Sequence, residues 1–314
     1  MNIASLEKIA VIGAGTMGHG IALVFALNGH QTCLVDVNDR IIENAIHRIR
    51  NNIRTLLSLG VITEKEEKSA LTLIEGTTRI DATKGADLVV EAVPEKMELK
   101  KHVFKKLDEL CPEHTILASN TSTLSISEIA GATERPDKVV GMHWMNPPYI
   151  LPLVEVISGD KTSSSTLSIV INLLKEMKKE PVVCKDVPGF IVNRLQFAML
   201  VEALSLLEQG IASIKDIDKV WTRHLGIRFS LMGPIEVLDN LGLDVALDCQ
   251  SYLYGKLKAS KFQPPEILKR KVEAGELGLK SGKGFLNYEG KNIEDIIRAR
   301  DKRFIWLLRE LKII

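Results

Sequence analysis

Three glycines in GAGTMG, namely Gly13, Gly15 and Gly18, are spaced to hold a diphosphate against bare backbone. Gly13 permits the tight turn, Gly15 lets the main chain approach the pyrophosphate, and Gly18 allows a helix to pack closely on a strand. The loop follows an apolar run, KIAVIG (8–13), and leads into the helical pattern HGIALVFALNG. Free N–H groups and the positive end of the helix dipole would therefore face the charge. Asp36 lies in the next apolar run, TCLVDV (32–37), 23 residues after Gly13. A carboxylate near that spacing accepts hydrogen bonds from the adenosine ribose. Val37 and Asn38 follow it, with no arginine there to neutralise a 2′-phosphate, which selects NAD over NADP. A Gly-rich turn alone also occurs without a ligand. Here strand, glycines, helix, second strand and terminal Asp come in order, and that order favours a nucleotide.

The elements that must position these residues alternate in βαβ fashion through the first half of the chain, as a parallel sheet requires. Further strands are expected at DLVVEAV (87–93), TILAS (115–119), KVVGMHW (138–144), LPLVEVI (151–157) and EPVVCKD (180–186). The stretch from about 40 to 73 has helical spacing and reads as a helical hairpin insertion turning near Leu59-Gly60, since Gly commonly ends helices. After Asp186 the β signal stops. Pro188 suits a first helical turn, from which a helix is expected to run to Gly210. Ser213 followed by Asp216 reads as an acidic variant of a capping box. The expected fold is an α/β Rossmann-type domain over 1–187 and an all-α domain over 188–314.

Composition narrows the class. The chain has 314 residues, 45% hydrophobic and 26% charged, with a net charge of +1. No basic block offers a footprint for nucleic acid or an anionic membrane, and no apolar run reaches the ~18 residues of a membrane span. Cys33, Cys111, Cys184 and Cys249 form no CxxC pair, which argues against a zinc site or a disulfide scaffold and fits a reducing compartment. The first strand begins within ten residues of Met1, leaving no room for a signal peptide. A cytoplasmic enzyme without a metal is expected.

The motifs GAGTMGHGIA (13–22), VVEAVPEKMELKK (89–101), ILASNTSTLSI (116–126), GMHWMNPP (141–148), LPLVEVISG (151–159), KDVPGFIVNRL (185–195) and LGLKSGKGF (277–285) together resemble the 3-hydroxyacyl-CoA dehydrogenase family over nearly the whole chain. The resemblance implies an N-terminal Rossmann domain, a helical domain that dimerises, and hydride transfer from a 3-hydroxyl carbon to NAD. It makes His143 the catalytic base and Glu155 its partner, and gives Ser122 and Asn193 the substrate oxygen. Gly13, Gly15, Gly18, Asp36, Glu95, Lys100, Ser122 and Asn146 correspond to the nucleotide contacts.

The chemistry is consistent with those assignments. Oxidising a secondary alcohol needs a base with a pKa near neutrality, which histidine supplies. His143 ends an expected strand, at the rim where open α/β sheets bind ligands. Glu155 lies in the next strand, after a turn at Asn146-Pro147-Pro148, and can reach the far imidazole nitrogen. Taken alone, His143 would more often be a structural residue, Asn193 a local cap and Ser122 part of an ST-turn.

Some features depart from the family pattern. Within 53–62 Arg54 is the one cation for CoA phosphates, although Lys65 and Lys68 follow. HWMNPPYILP and LGIRFSLMGP, the latter carrying Arg228, look more like the branch of gulonate, carnitine and pyridoxate-degradation dehydrogenases, which oxidise free acids. Arg228 could anchor a carboxylate, or pair with Glu236. A short 3-hydroxyacyl-CoA substrate is the leading expectation. The alternatives are a free hydroxy acid and a non-catalytic NAD-binding structural protein. The apolar stripe from Ile293 to Leu311 is expected to pack on the helical domain or a second subunit, giving a homodimer.

Overall fold

The computed structural model describes residues 6–314. The chain divides into two compact units, one ending at Met199 and one spanning Leu200–Ile314.

The first unit is built on runs such as KIAVI, apolar at successive positions because an interior parallel strand is covered on both faces. Its strands are β1 (Lys8–Ile12), β2 (Gln31–Val35), β3 (Ile74–Thr77), β4 (Leu88–Glu91), β5 (Ile116–Ser119), β6 (Val139–Trp144), β7 (Leu153–Ser158) and β8 (Glu180–Lys185). They form one sheet in the order β3-β2-β1-β4-β5-β6-β7-β8. All neighbours are parallel except β6 and β7. The order 3-2-1-4-5-6 is that of the doubly wound dinucleotide fold, whose strand order reverses between β1 and β4. Period-2 alternation sorts the strands onto two cores. Ile9, Val11, Val140, Met142 and Trp144 belong to one, with Phe25 of α1 (Gly18–Leu27). Ala10, Ile12, Val139 and Ile157 belong to the other, with Phe104 of α4 (Met97–Leu110) and Ile126 of α5 (Ile126–Ala130).

The hairpin forms as expected. Asn38 caps α2 (Asp39–Ser58), accepting from Arg40 N–H at 2.8 Å. Ile42, Ala45, Ile49, Ile53 and Leu56 line its buried face, each large side chain contributing roughly 2 kcal/mol of transfer free energy. Gly60 turns the chain at φ +68. A full capping box of Thr63 and Glu66 then opens α3 (Glu64–Leu73). Helix α6 (Ser164–Glu176) joins β7 to β8.

Three local expectations are corrected. Strand β3 is additional: its IEGT carries no apolar run and pairs with β2 alone. Strand β2 ends at Val35 and not at Val37, because the Asp36 carboxylate folds back onto Val37 N–H and Ala14 N–H, each at 2.7 Å. The helix expected from Pro188 begins instead at Val192, as α7 (Val192–Glu208). Residues 188–191 form a turn, with Gly189 at φ +75 and Phe190 at φ +49. Left-handed backbone at a bulky residue is costly; Phe190 is buried in the sheet's second core, and the turn directs two N–H groups at Glu155.

The second unit is helical: α8 (Ile214–Val220), a π turn at Trp221–Leu225, α9 (Gly226–Phe229), α10 (Pro234–Leu241), α11 (Leu243–Leu257), α12 (Glu266–Glu273) and α13 (Ile293–Glu310). Ser213 caps α8 through Asp216 N–H. Asp239 is fully buried, and its carboxylate accepts from Phe285 N–H (2.9 Å), Leu286 N–H (2.8 Å) and Tyr288 O–H (3.2 Å). Burial and that carboxylate push the Tyr288 phenol up to about 12. Gly284 of SGKGF makes room for this carboxylate: a Cβ there would lie 2.3 Å from Asp239 Oδ1.

Candidate active site

Strand β6 ends in His143 and Trp144, and the antiparallel register sets Glu155 of β7 directly opposite His143. Both point to the face that holds Val139, Ile157 and Phe190. His143 Nδ1 lies 2.7 Å from Glu155 Oε2, with His143 6% exposed and Glu155 wholly buried. An ionised carboxylate only accepts, so Nδ1–H donates and Nε2 keeps the lone pair that a base requires. Glu155 Oε1 accepts from Ile191 N–H and Val192 N–H, both at 2.8 Å. Burial drives the Glu155 pKa up, but the His143 hydrogen bond and these two N–H donors outweigh it and leave it below the ordinary 4.5. The carboxylate therefore stays charged at neutral pH and can stabilise an imidazolium beside it.

The turn that feeds Glu155 continues into Asn193, whose Nδ2 donates to the Ser122 carbonyl at 2.8 Å. Ser122 is held from its other side by Glu95. The Glu95 Oε1 atom accepts from Thr121 O–H (2.5 Å), Ser122 N–H (2.9 Å) and Thr123 N–H (3.1 Å). Burial raises the Glu95 pKa, yet Thr121, Lys100 and Ser122 together hold it below the usual value. Lys100 is buried under this loop. Its ammonium donates to Glu91 Oε1 at 2.7 Å and to Val93 C=O at 3.2 Å, and it lies 3.3 Å from Glu95 Oε2. Asp186 ties the same loop to the turn, accepting from Ser125 O–H (2.8 Å), Ile126 N–H (3.1 Å) and Ser127 N–H (2.7 Å) at the start of α5.

A cavity of about 920 Å³ opens at the β1/β4 switch point, lined by Gly13, Gly15, Asp36, Glu95, Asn120 and Ser122 among others. The cradle fits a dinucleotide. Gly13 sits at φ +99 against Ala92, and a Cβ at Gly18 would strike Gly13 C=O, whereas one at Gly15 would meet nothing within 4 Å. The open space over Gly15 is room for the diphosphate. His19 donates from Nδ1 to Gly15 C=O at 2.7 Å and fixes the loop; burial lowers its pKa, keeping the ring neutral.

The structure thus groups His143 with Glu155, and Ser122 with Asn193 and Glu95, while Gly13, Gly15 and Asp36 share one cavity wall. Lys100 lies beneath that cavity and does not line it. Asn146 is exposed in the connection from β6 to β7, next to a cis Asn146–Pro147 bond. Arg54 is exposed on α2. Arg228 of α9, with Asn240, Arg300 and Phe304, lines a cavity of about 320 Å³ in the helical unit, and it makes no ion pair with Glu236. Sequence reasoning missed His19, Asn120 and Asp186. His19 is the second residue of the helix after the glycines, and Asp186 is the second residue of KDVPGF; those positions are the available signals. Among the described residues no cluster of His, Cys, Asp or Glu is arranged for a metal, and no helix is long and apolar enough to cross a membrane.

A dinucleotide cradle beside a buried His–Glu pair defines an NAD-dependent dehydrogenase of the doubly wound class. The chain belongs to the 3-hydroxyacyl-CoA dehydrogenase family: the family's NAD-binding domain matches residues 8–187 and its C-terminal domain residues 189–288. The chain is 42% identical over 281 residues to the 3-hydroxybutyryl-CoA dehydrogenase of Clostridioides difficile, covering 90% of this chain and 99% of that protein. It is 34% identical over 308 residues to the 5-formyl-3-hydroxy-2-methylpyridine 4-carboxylate 5-dehydrogenase of Mesorhizobium japonicum, covering 98% and 99%. Among solved structures, a 3-hydroxyacyl-CoA dehydrogenase from Archaeoglobus fulgidus superposes with a TM-score of 0.82 at 38% identity, covering 98% of this chain and all of that one.

Proposed function

We propose that this protein oxidises the 3-hydroxyl of a short 3-hydroxyacyl-CoA to the 3-keto product, and that His143 is the base. Bound NAD supplies the hydride acceptor. Gly13, Gly15 and the start of α1 would hold its diphosphate, and Asp36 its adenosine ribose. His143 Nε2 takes the hydroxyl proton as hydride leaves the same carbon. Glu155 keeps Nδ1 protonated and balances the imidazolium that results. Asn193 and Ser122 hold the substrate oxygen as it becomes a carbonyl. The observation that carries this reading is the 2.7 Å contact between His143 Nδ1 and Glu155 Oε2. The names of the relatives support the substrate class. NADH formation measured on a panel of 3-hydroxyacyl-CoAs and free 3-hydroxy acids tests it. His143→Ala should cut turnover by roughly 100-fold or more; a near-normal rate would put the base elsewhere.

One observation favours a second reading, a free small acid. Arg228 opens onto its own cavity in the helical unit with Arg300 beside it, and guanidinium binds carboxylate in bidentate fashion. On that reading Arg228→Met raises KM for a free hydroxy acid, with a loss of roughly 2–4 kcal/mol, and scarcely affects a CoA ester. Unchanged KM together with robust turnover of 3-hydroxybutyryl-CoA would eliminate it.

The proposed assembly is a homodimer in the cytoplasm. The exposed apolar side chains of Leu195, Phe197, Val201 and Leu204 on α7 support the dimer, and four unpaired cysteines suit a reducing compartment. Light scattering giving a 34.8 kDa species at micromolar concentration would refute the dimer.

A further inference from the structure

His143 lies where the sheet is braced on one side only. Strand β5 stops pairing at Gly141, so Met142, His143 and Trp144 of β6 keep β7 alone as a strand neighbour. On the open side Trp144 N–H donates to a side chain, Asn120 Oδ1, at 2.9 Å. One rung beyond His143, at Trp144 and Val154, the ladder ends and the 145–152 link begins. An open ladder end frays unless something outside it holds on. The link is poorly equipped to hold itself. Three of its eight residues, Pro147, Pro148 and Pro152, have no N–H to donate. Pro147 C=O accepts from Ile150 and Leu151 N–H, and Pro152 C=O from Glu180 N–H at 2.9 Å. The carbonyls of Pro148 and Leu151 both go to one outside group, the Lys179 ammonium, at 2.6 and 2.9 Å.

Lys179 stands in the turn between α6 and β8, with Lys178 before it at φ +57 and its own N–H on Leu174 C=O at 2.8 Å. Its side chain is half-buried, and its ammonium lies 5.9 Å from the centre of the Trp144 ring. Burial pulls its pKa below 10.5, and no carboxylate offsets that pull. A cation drawn out of water without a counter-ion is costly; here two carbonyls and an aromatic face take its place. On its other side the link packs on α1, where a Cβ at Gly20 would lie 2.8 Å from Pro148 Cγ. The link is therefore clamped between α1 and Lys179. We propose that Lys179 is a positioning residue for proton transfer: by clamping the link it keeps the open end of β6 from swinging and holds the His143 ring on its aim. The ladder sets the register, and Lys179 limits the play left in it.

The proposal rests on His143 being the base, and a double-mutant cycle on the full-length protein separates the two ideas. Lys179→Met keeps the apolar stem and removes every donor. With His143 present it should lower kcat on the best substrate of the panel by about tenfold, the scale of a slightly misaimed group, while KM for NAD stays within about twofold. In a His143→Ala background the same substitution should change kcat by less than about twofold, because no ring is left to aim. A lysine that only stabilised the fold would lower activity by the same factor in both backgrounds, and that result would overturn the proposal. So would a kcat within about twofold of wild type in Lys179→Met. Lys179→Arg keeps the charge and donors for both carbonyls and should recover at least about half of wild-type kcat; an arginine variant as slow as the methionine one would count against the clamp equally. Lys178→Met removes an exposed charge from the same turn and should leave kcat unchanged, whereas an equal loss there would make the effect one of charge and overturn the clamp. Should Lys179→Met not fold, Lys179→Gln, with a donor for one carbonyl, takes its place in the cycle, with a loss of about threefold expected. Near-native turnover in His143→Ala would remove the base reading itself, and the positioning role with it.

Discussion

Glu155→Gln exchanges one oxygen for an NH₂ group and leaves shape and volume nearly untouched. In the native protein one carboxylate serves two sides, Oε2 taking His143 Nδ1 at 2.7 Å and Oε1 taking Ile191 and Val192 N–H at 2.8 Å. An amide can accept on one side only. If its oxygen faces the two N–H groups, its NH₂ meets His143 Nδ1, which must then become an acceptor. The proton moves to Nε2, and the nitrogen that should take the substrate proton is already occupied. If the amide flips, two backbone N–H groups in a buried turn face a donor and lose their partners. The first arrangement costs less, because a tautomer change leaves no buried group unpaired. Catalysis then falls by on the order of 10³–10⁴, as for other His–carboxylate pairs forced into the wrong tautomer, or roughly 4–5.5 kcal/mol of transition-state stabilisation. NAD affinity should stay close to wild type, since Glu155 does not line the nucleotide cavity. Stability should fall by about 2 kcal/mol, the loss of the charge-assisted component. Steady-state NADH formation and NAD titration on the same preparation separate the two effects. A variant keeping more than about a tenth of wild-type turnover would refute the reasoning, because neither amide orientation then disabled the base.

Other perturbations follow from the same network. Gly284→Ala drives a Cβ into the Asp239 carboxylate and should lower stability by about 3 kcal/mol in denaturant titration, without altering NAD affinity of the folded fraction. Asp186→Ala strands Ser125 O–H, Ile126 N–H and Ser127 N–H; a loss of about 2 kcal/mol is expected, with Asp186→Asn recovering part of it. Equal losses in the two variants would show that the cap contributes nothing. Glu155 and Asp186 both titrate below their ordinary values of 4.5 and 3.8. The unfolded chain therefore binds more protons near those pH values, so stability from these groups is complete above pH 4.5 and is lost as pH falls through the lowered folded values. Unfolding free energy measured from pH 6 to 3 should decline less steeply in Glu155→Gln than in wild type.

Much of this could be read from the chain because the signals were local. The glycine loop, Asp36 and the buried strands lie within one βαβ unit, where period and spacing report directly on geometry. His143 and Glu155 were legible as neighbours because a short connection between two strands leaves few registers. What escaped depends on the third dimension. IEGT looks like nothing until β2 offers it an edge. Lys100 occupies a helix that reads as amphipathic, and only Glu91, buried on β4, explains why a lysine is 1% exposed there. Pro188 suggested a helix start because no local rule announces that Glu155, more than thirty residues earlier, needs two N–H groups from a left-handed turn. Gly284 of SGKGF reads as part of a family signature, while its physical reason, Asp239, lies more than forty residues away in sequence.

The proposed base and its carboxylate share one rung of a ladder, His143 facing Glu155 across β6 and β7. The pair is therefore complete as soon as the sheet has formed, before cofactor or substrate arrives, and none of the free energy of ligand binding is diverted to assembling it. The eight-residue link between the strands, 145–152, can lengthen or shorten while the His143–Glu155 register stays fixed. Within the strands the opposite holds. Deleting a single residue between Val139 and His143 would turn the imidazole to the other face of the sheet, into the core that holds Phe25, and would turn Trp144 out of that core, so folding and the proposed chemistry would fail in the same step.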